Sequence, residues 1–136
     1  MLKKALTAFL AATVLVVLSL LARPGIPVAA DEPQSEYWAV IVGVAEYQAY
    51  WIQDLVGFDA NARDLSQLLS PAWGEDHVRL LLNSEATKAN VLEAVNWLVS
   101  REDNDDAVLF YFAGHGIPEY IAPHDADNLD TFISAA

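Results

Sequence analysis

No cysteine occurs anywhere in the 136 residues. Neither a disulfide nor thiolate chemistry can therefore arise within them, and a lipoprotein leader is excluded. Cations are scarce as well: seven Lys and Arg face nineteen Asp and Glu, for a net charge of −12. After residue 30 only Arg63, Arg79, Lys88 and Arg101 are basic, while all nineteen acids lie there, so that stretch carries −15. Such a balance argues against nucleic acid and anionic membrane surfaces as partners. It is compatible with cationic substrates or divalent cations, although surface charge of this kind mostly serves to keep a domain soluble. Internal repeats and low-complexity tracts are missing too, which sets aside repeat architectures.

What is present divides in two by composition. Lys3 and Lys4 precede an apolar run from Ala5 to Ala22, broken only by Thr7, Thr13 and Ser19. Pro24, Gly25 and Pro27 then interrupt any helix, and Val28-Ala29-Ala30 supplies small residues before Asp31. Residues 1–30 read as a signal peptide, removed as the protein is exported to a periplasmic or extracellular space. The rival reading keeps residues 5–22 as an uncleaved membrane anchor, since about 18 apolar residues is the lower limit for a span. Cleavage leaves about 106 residues, enough for one modest domain.

Residues 31–36 are polar and read as a linker. From Tyr37 onward, continuous apolar runs alternate with amphipathic ones. Trp38 to Val44 is nearly all apolar and β-branched, as suits a strand buried on both faces. Phe58, Ala62, Leu65, Leu68 and Leu69 fall at helical spacing, and Pro71 with Gly74 is expected to end that helix. Val78 to Leu82 predicts a second strand. Thr87 predicts the N-cap of a second helix whose apolar stripe is Val91, Leu92, Val95, Leu98 and Val99. After the acidic loop Glu102 to Asp106, Ala107 to Phe112 predicts a third strand.

The order β-α-β-α-β implies a parallel sheet covered by helices, an α/β/α sandwich. The expected strand order is 2-1-3, with the outer edge of the third strand bare. Asp130-Thr131 reads as the start of another helix, and the five residues after it fill only its first turns. The chain is accordingly expected to be cut short.

The most informative stretch is Phe112-Ala113-Gly114-His115-Gly116. It closes the third apolar run and leaves a histidine between two glycines. Residues just past the carboxyl end of a strand in an open α/β sheet sit where ligands bind. An imidazole there can move protons near neutral pH. Glycine on either side is expected to let the backbone turn sharply and come close to a substrate.

With these residues in order, the chain resembles the caspase-like cysteine peptidases, closest to bacterial caspase and metacaspase relatives. Trp38 to Val44, with Gly43 and then Tyr47, resembles the family's first strand. Leu55-Val56-Gly57 through Ala62 and Leu65 resembles the start of the first helix. Thr87, Asn90 and Leu98 resemble the second helix, and Ala107 to Gly116 the strand and histidine loop. Tyr120 to Pro123 followed by Asp125 resembles the stretch that comes next.

The resemblance implies a caspase-like domain over 37–136 that stops before the strand bearing the nucleophile. It also implies a cysteine endopeptidase acting on peptide or protein, with no resident cofactor, although several metacaspases need Ca²⁺. His115 would be the general acid–base partner of the absent thiol, Gly116 would offer its N–H to the oxyanion, and Gly114 would permit the turn that aims the ring. This chain has Ala113 where metacaspases often have Ser, and Asn61 where an Asp helps to bind a basic residue before the scissile bond. Asp59 or Asp64 could substitute for that Asp at a different spacing, so the preference at this position stays open. The chain alone is expected to be inactive. The alternative from another class is a non-catalytic exported binding module that reuses the fold.

Other residues invite weaker readings. His77 is expected at the surface. His124 with His115 suggests a shared metal site, but their spacing matches no zinc motif. The groups Glu102–Asp106 and Asp125–Asp130 suggest calcium by composition, yet both lack the glycine and terminal Glu of an EF-hand, and solvated loop acids are the better reading. Trp38, Trp51, Trp73 and Trp97 read as core or loop packing rather than a binding platform, although Trp51 with Tyr50 could line a cleft.

Overall fold

A computed structural model describes residues 35–135. The expected signal peptide, and residues 31–34 of the linker, lie outside the described residues. Strand β1, Tyr37–Gly43, is buried along six of its seven positions. It lies between β2, Val78–Leu82, and β3, Ala107–Ala113, and pairs in parallel with both. The order β2-β1-β3 is the one expected. Ile41 stands opposite Leu80 and Tyr111, and Gly43 opposite Leu82 and Ala113. All three strands thus end at one level, and the loops that follow them converge there.

Alternation along β1 assigns its two faces. Ala39 and Ile41 pack with Ala62, Leu65 and Leu69 of helix α1, Phe58–Trp73. Trp38, Val40 and Val42 pack with Val91, Ala94 and Leu98 of helix α2, Lys88–Arg101. The result is a three-layer α/β/α sandwich. Helix α1 passes so close to the end of β1 that a Cβ on Gly43 would stand 2.6 Å from the Ala62 Cβ. Glycine there is a packing requirement.

The helices differ in detail from their sequence patterns. Pro71 does not end α1; it sits in the last turn, and the helix runs on to Trp73 before Gly74, at φ 110°, stops it. Trp73 then packs on Tyr37 at 5.3 Å between ring centroids. A proline so near the end removes one N–H bond but leaves Gly74 free to donate to the Ser70 carbonyl. Leu68, expected on the buried stripe, is exposed, and Ser66 is buried instead.

Thr87 caps α2 as expected, accepting from the Asn90 N–H at 3.3 Å. Its buried stripe is Val91, Ala94 and Leu98, whereas Leu92 and Val99 face out. The small Ala94 brings the helix down onto the sheet on that line. The bulkier neighbours then point away.

Past β3 the chain forms a second, antiparallel sheet from β4, Gly116–Ile117, β5, Tyr120–Ile121, and β6, Ile133–Ser134. The helix expected from Asp130 is absent. Leu129–Thr131 is a single 3-10 turn capped by Asn128, after which Phe132 is extended and leads into β6. Lys88 Nζ donates to the carbonyls of Asp130 and Phe132 at 2.7 and 3.0 Å, holding this turn against the start of α2. Pairing with β5 takes precedence over a helix for which the local residues supply no apolar stripe. Among the described residues, no strand pairs with the outer edge of β3, where Val108 and Phe110 are 53% and 42% exposed. None of the described helices is long and apolar enough to cross a membrane.

Candidate active site

His115 stands at the carboxyl end of the sheet, half-buried, directly after β3. The loop following β1 grips it at both ends. The His115 backbone N–H donates to the Tyr47 hydroxyl at 2.6 Å, and ring Nε2 lies 2.7 Å from the Gln53 carbonyl oxygen. A carbonyl only accepts, so in this contact Nε2 carries the proton and the neutral ring keeps its lone pair on Nδ1.

That loop is itself fastened at several points. Val44 N–H donates to the Ala113 carbonyl at 2.8 Å, and Leu55 N–H to the Ala45 carbonyl at 2.7 Å. Ala45 and Glu46 both donate to the Asn83 side-chain oxygen, and Tyr47 N–H donates to Asp54. Asn83 reaches this position from the end of β2 through a left-handed φ of 45°, which asparagine tolerates. Three loops, one after each strand, therefore share in setting the histidine.

The glycines beside His115 are required by space rather than by unusual dihedrals. Neither has a positive φ. A Cβ at Gly114 would meet the Phe112 ring at 2.8 Å and the Tyr47 hydroxyl at 2.9 Å. A Cβ at Gly116 would stand 3.0 Å from the Tyr120 carbonyl oxygen. The Ala122 N–H donates to the His115 carbonyl at 2.9 Å, and Gly116 pairs with Ile121. Gly116 thus occupies a non-hydrogen-bonded position of the ladder, and its N–H points away from β5.

Tyr47 is buried, and its ring lies 5.1 Å from the His115 ring. Burial raises its pKa above the ordinary value. The hydrogen bond from His115 opposes that shift, and the nearby Asp54 charge adds to it. The phenol is accordingly neutral at physiological pH.

An open hollow of about 280 Å³ adjoins the imidazole, walled by Trp51, Ile52, Ile117, Ala122 and Phe132 together with His115. Tyr50 is almost fully exposed and does not line it. Asn61 and Asp59 lie in the first turn of α1, and neither lines this hollow. Asn61 is exposed, and Asp59 pairs with Arg63 at 3.8 Å.

The remaining candidates are engaged elsewhere. His124 Nδ1 lies 2.7 Å from the Glu46 carbonyl oxygen, so its ring is tied separately from that of His115. His77 is not a surface residue: its ring stacks on Trp38 at 3.8 Å and 14°, with the side chain 18% exposed. A flat ring beside an indole gains more from stacking than from hydration.

Asp103, Asp105 and Asp106 each bring one carboxylate oxygen within 4.8 Å of the others, and Asp103 and Asp105 are exposed. Asp106 accepts from the Glu36 N–H, the Trp38 indole and the Asp103 N–H, which commits both its oxygens. Those bonds, Glu36 first, hold its pKa below the ordinary value, whereas Asp105 is raised by its bond to Asp103. In the second acidic group two carboxylates each accept at one oxygen. Asp125 accepts from the Lys88 N–H at the head of α2, and Asp127 from the Asn128 side chain.

A family model of the caspase domain matches residues 36–134. The chain belongs to the caspase-domain family of peptidases. The match spans the parallel sheet, both helices and the small antiparallel sheet, so the α/β/α sandwich is the caspase fold over those elements. Membership makes protein the substrate class by family. A search of curated proteins found no match. Of the residues that hold His115, Tyr47 was visible in the sequence without a role. Gln53 acts through its backbone, which no sequence signal marks, and Asn83 could have been suspected only as a polar residue closing a strand.

Proposed function

We propose that these residues supply the acid–base half of a cysteine endopeptidase. The observation that carries the reading is the bond between His115 Nε2 and the Gln53 carbonyl. It leaves Nδ1 as the atom that would take a thiol proton and return it to the departing amine. The Gly116 N–H, turned away from β5, is available to the oxyanion of the tetrahedral intermediate, where one such donor contributes about 3 kcal/mol. Gly114 keeps room for the Tyr47 hydroxyl under the loop. Asn61 and Asp59, in the first turn of α1, remain candidates for contact with the residue before the scissile bond. The cycle so drawn needs no cofactor or metal. The nucleophilic sulfur must come from outside these residues, because they contain no cysteine.

The reading includes export through residues 1–30, with membrane attachment by residues 5–22 only if that leader persists. The complete gene product, carried through to a cysteine, is expected to cleave peptides in a reaction stopped both by a thiol alkylator and by His115→Ala. Cleavage that survives either treatment, or none at all, refutes it. The 136-residue chain by itself is expected to hydrolyse no peptide. The second reading, a non-catalytic exported binding module on the same fold, draws its support from the absence of cysteine. A stop codon at position 137 of the native gene would favour it.

A further inference from the structure

The hollow beside His115 differs in character from the rest of the surface. Nineteen of the 136 residues are acidic, yet no Asp, Glu, Lys or Arg lines it. Trp51 lines it at 56% exposure, leaving much of a large apolar ring system in contact with water. Ile52, Ala122 and Phe132 pack on the main core, so the walls are fixed rather than loose. Its volume of about 280 Å³ is just below the range of about 300–1,000 Å³ for drug-sized ligand sites. It suits one side chain rather than an extended ligand.

His115 and the adjacent Gly116 are both among the residues that line it. A general acid donates its proton to the departing nitrogen, so the substrate beyond the scissile bond must leave along the imidazole's side.

We propose that this hollow is a subsite for an apolar side chain, such as Leu or Phe, on the residue that contributes the leaving amine. The proposal rests on the acid–base role given to His115 above. Charge supports the choice of occupant. An acidic side chain would be repelled by the strongly negative domain, and a basic one would find no carboxylate within the hollow. Trp51 is the specificity-determining residue, since it is the most exposed of the large apolar residues that line the hollow. Partial burial of a Leu or Phe side chain against it is worth about tenfold in affinity.

The test titrates the full chain with the amides of Leu, Phe, Gly, Asp and Lys, each a model of the released amine. The readouts are the Trp51 indole and His115 ring resonances. Leu-amide and Phe-amide are expected to shift both and to bind about tenfold more tightly than Gly-amide. Trp51→Ala is expected to abolish that difference, and Trp51→Phe to keep most of it. Equal or tighter binding of Lys-amide would show that net charge, not the hollow, governs the interaction, and would overturn the proposal. Shifts centred on Trp73 or Trp97 would overturn it as well.

The complete gene product separates this failure from that of the peptidase reading. Cleavage with no bias toward Leu or Phe after the scissile bond refutes the subsite alone. Apolar selectivity without any cleavage refutes the peptidase and with it the leaving-amine assignment.

Discussion

Replacing Tyr47 by Phe removes one oxygen and leaves the ring in place, so it isolates the bond that holds the histidine loop. The His115 N–H loses its 2.6 Å acceptor. A buried donor left without a partner costs about 1–3 kcal/mol. The site opens on one side to the hollow at His115, where water can partly replace the hydroxyl, so the lower part of that range applies, about 1–2 kcal/mol. For a domain of about 100 residues this lowers the melting temperature by roughly 5–12 °C.

The pH dependence gives an independent check. Burial raises the Tyr47 pKa in the folded state above that of the unfolded chain. Above about pH 10 the unfolded chain therefore binds fewer protons than the native one, and stability falls as pH rises. The contribution is complete below the unfolded pKa and is lost on the way up to the folded one. Tyr47→Phe should flatten this alkaline decline, while Tyr50→Phe, at an almost fully exposed position, should alter neither quantity. Circular-dichroism melts of the three proteins at neutral and alkaline pH measure both effects. A Tyr47→Phe midpoint within about 2 °C of the parent at neutral pH would show that the bond contributes nothing, and the account of the loop would be wrong.

Three further perturbations act away from the histidine. Gly43→Ala places a Cβ 2.6 Å from that of Ala62 and 3.0 Å from the Asp59 backbone. It should cost about 1–3 kcal/mol by overpacking, read from urea unfolding. Asp106→Asn should lower the melting temperature at neutral pH and flatten the acid limb of the stability curve. The reason is that the depressed Asp106 pKa stabilises the fold above the unfolded value and is lost as pH falls through the folded one. On the outer edge of β3, Val108→Lys should reduce concentration-dependent association in sedimentation experiments, because a charge on an unpaired edge discourages strand addition. An unchanged association profile would place the sticky surface elsewhere.

The sheet was legible because its strands are written as continuous apolar runs. Trp38 to Val42 could bury both faces only at the centre of the sheet, and the helical patterns on either side fixed the crossover order. The helix stripes were less so. Leu68, Leu92 and Val99 read as core by residue type, yet the line of approach is set by the small residues Ala62 and Ala94, whose packing value depends on the partner surface. The region after His115 was misread because two-residue strands carry no periodicity. Asn128, Asp130 and Thr131 close a turn with the same chemistry that starts a helix. His77 was misplaced because its neighbours Glu75 and Asp76 are polar, whereas its position is decided by Trp38, distant in sequence.

The histidine site divides along the same line. The position of His115 after an apolar strand was readable, since that is a property of one segment. Its fastening was not, because the groups that hold it come from other segments: the Gln53 carbonyl accepting from the ring, the Tyr47 hydroxyl accepting from the His115 N–H, and the Asn83 and Asp54 side chains that fasten the loop carrying both. Such contacts constrain side chains chiefly through space, as the Phe112 ring and Tyr47 hydroxyl do at Gly114. Of the two departures noted in the sequence, Asn61 is exposed on α1 and forms none of the hydrogen bonds that hold the imidazole, whereas Ala113 is buried at the end of β3. A change at Asn61 can therefore alter what a substrate meets without altering how the ring is held. Asn61 is not among the groups in that clamp, which are the Gln53 carbonyl, the Tyr47 hydroxyl and the Asp54 and Asn83 side chains, so the geometry at His115 and the specificity around it are free to vary independently. Substitutions at Asn61 should accordingly leave the His115 ring resonances unchanged, whereas Gly114→Ala should move them.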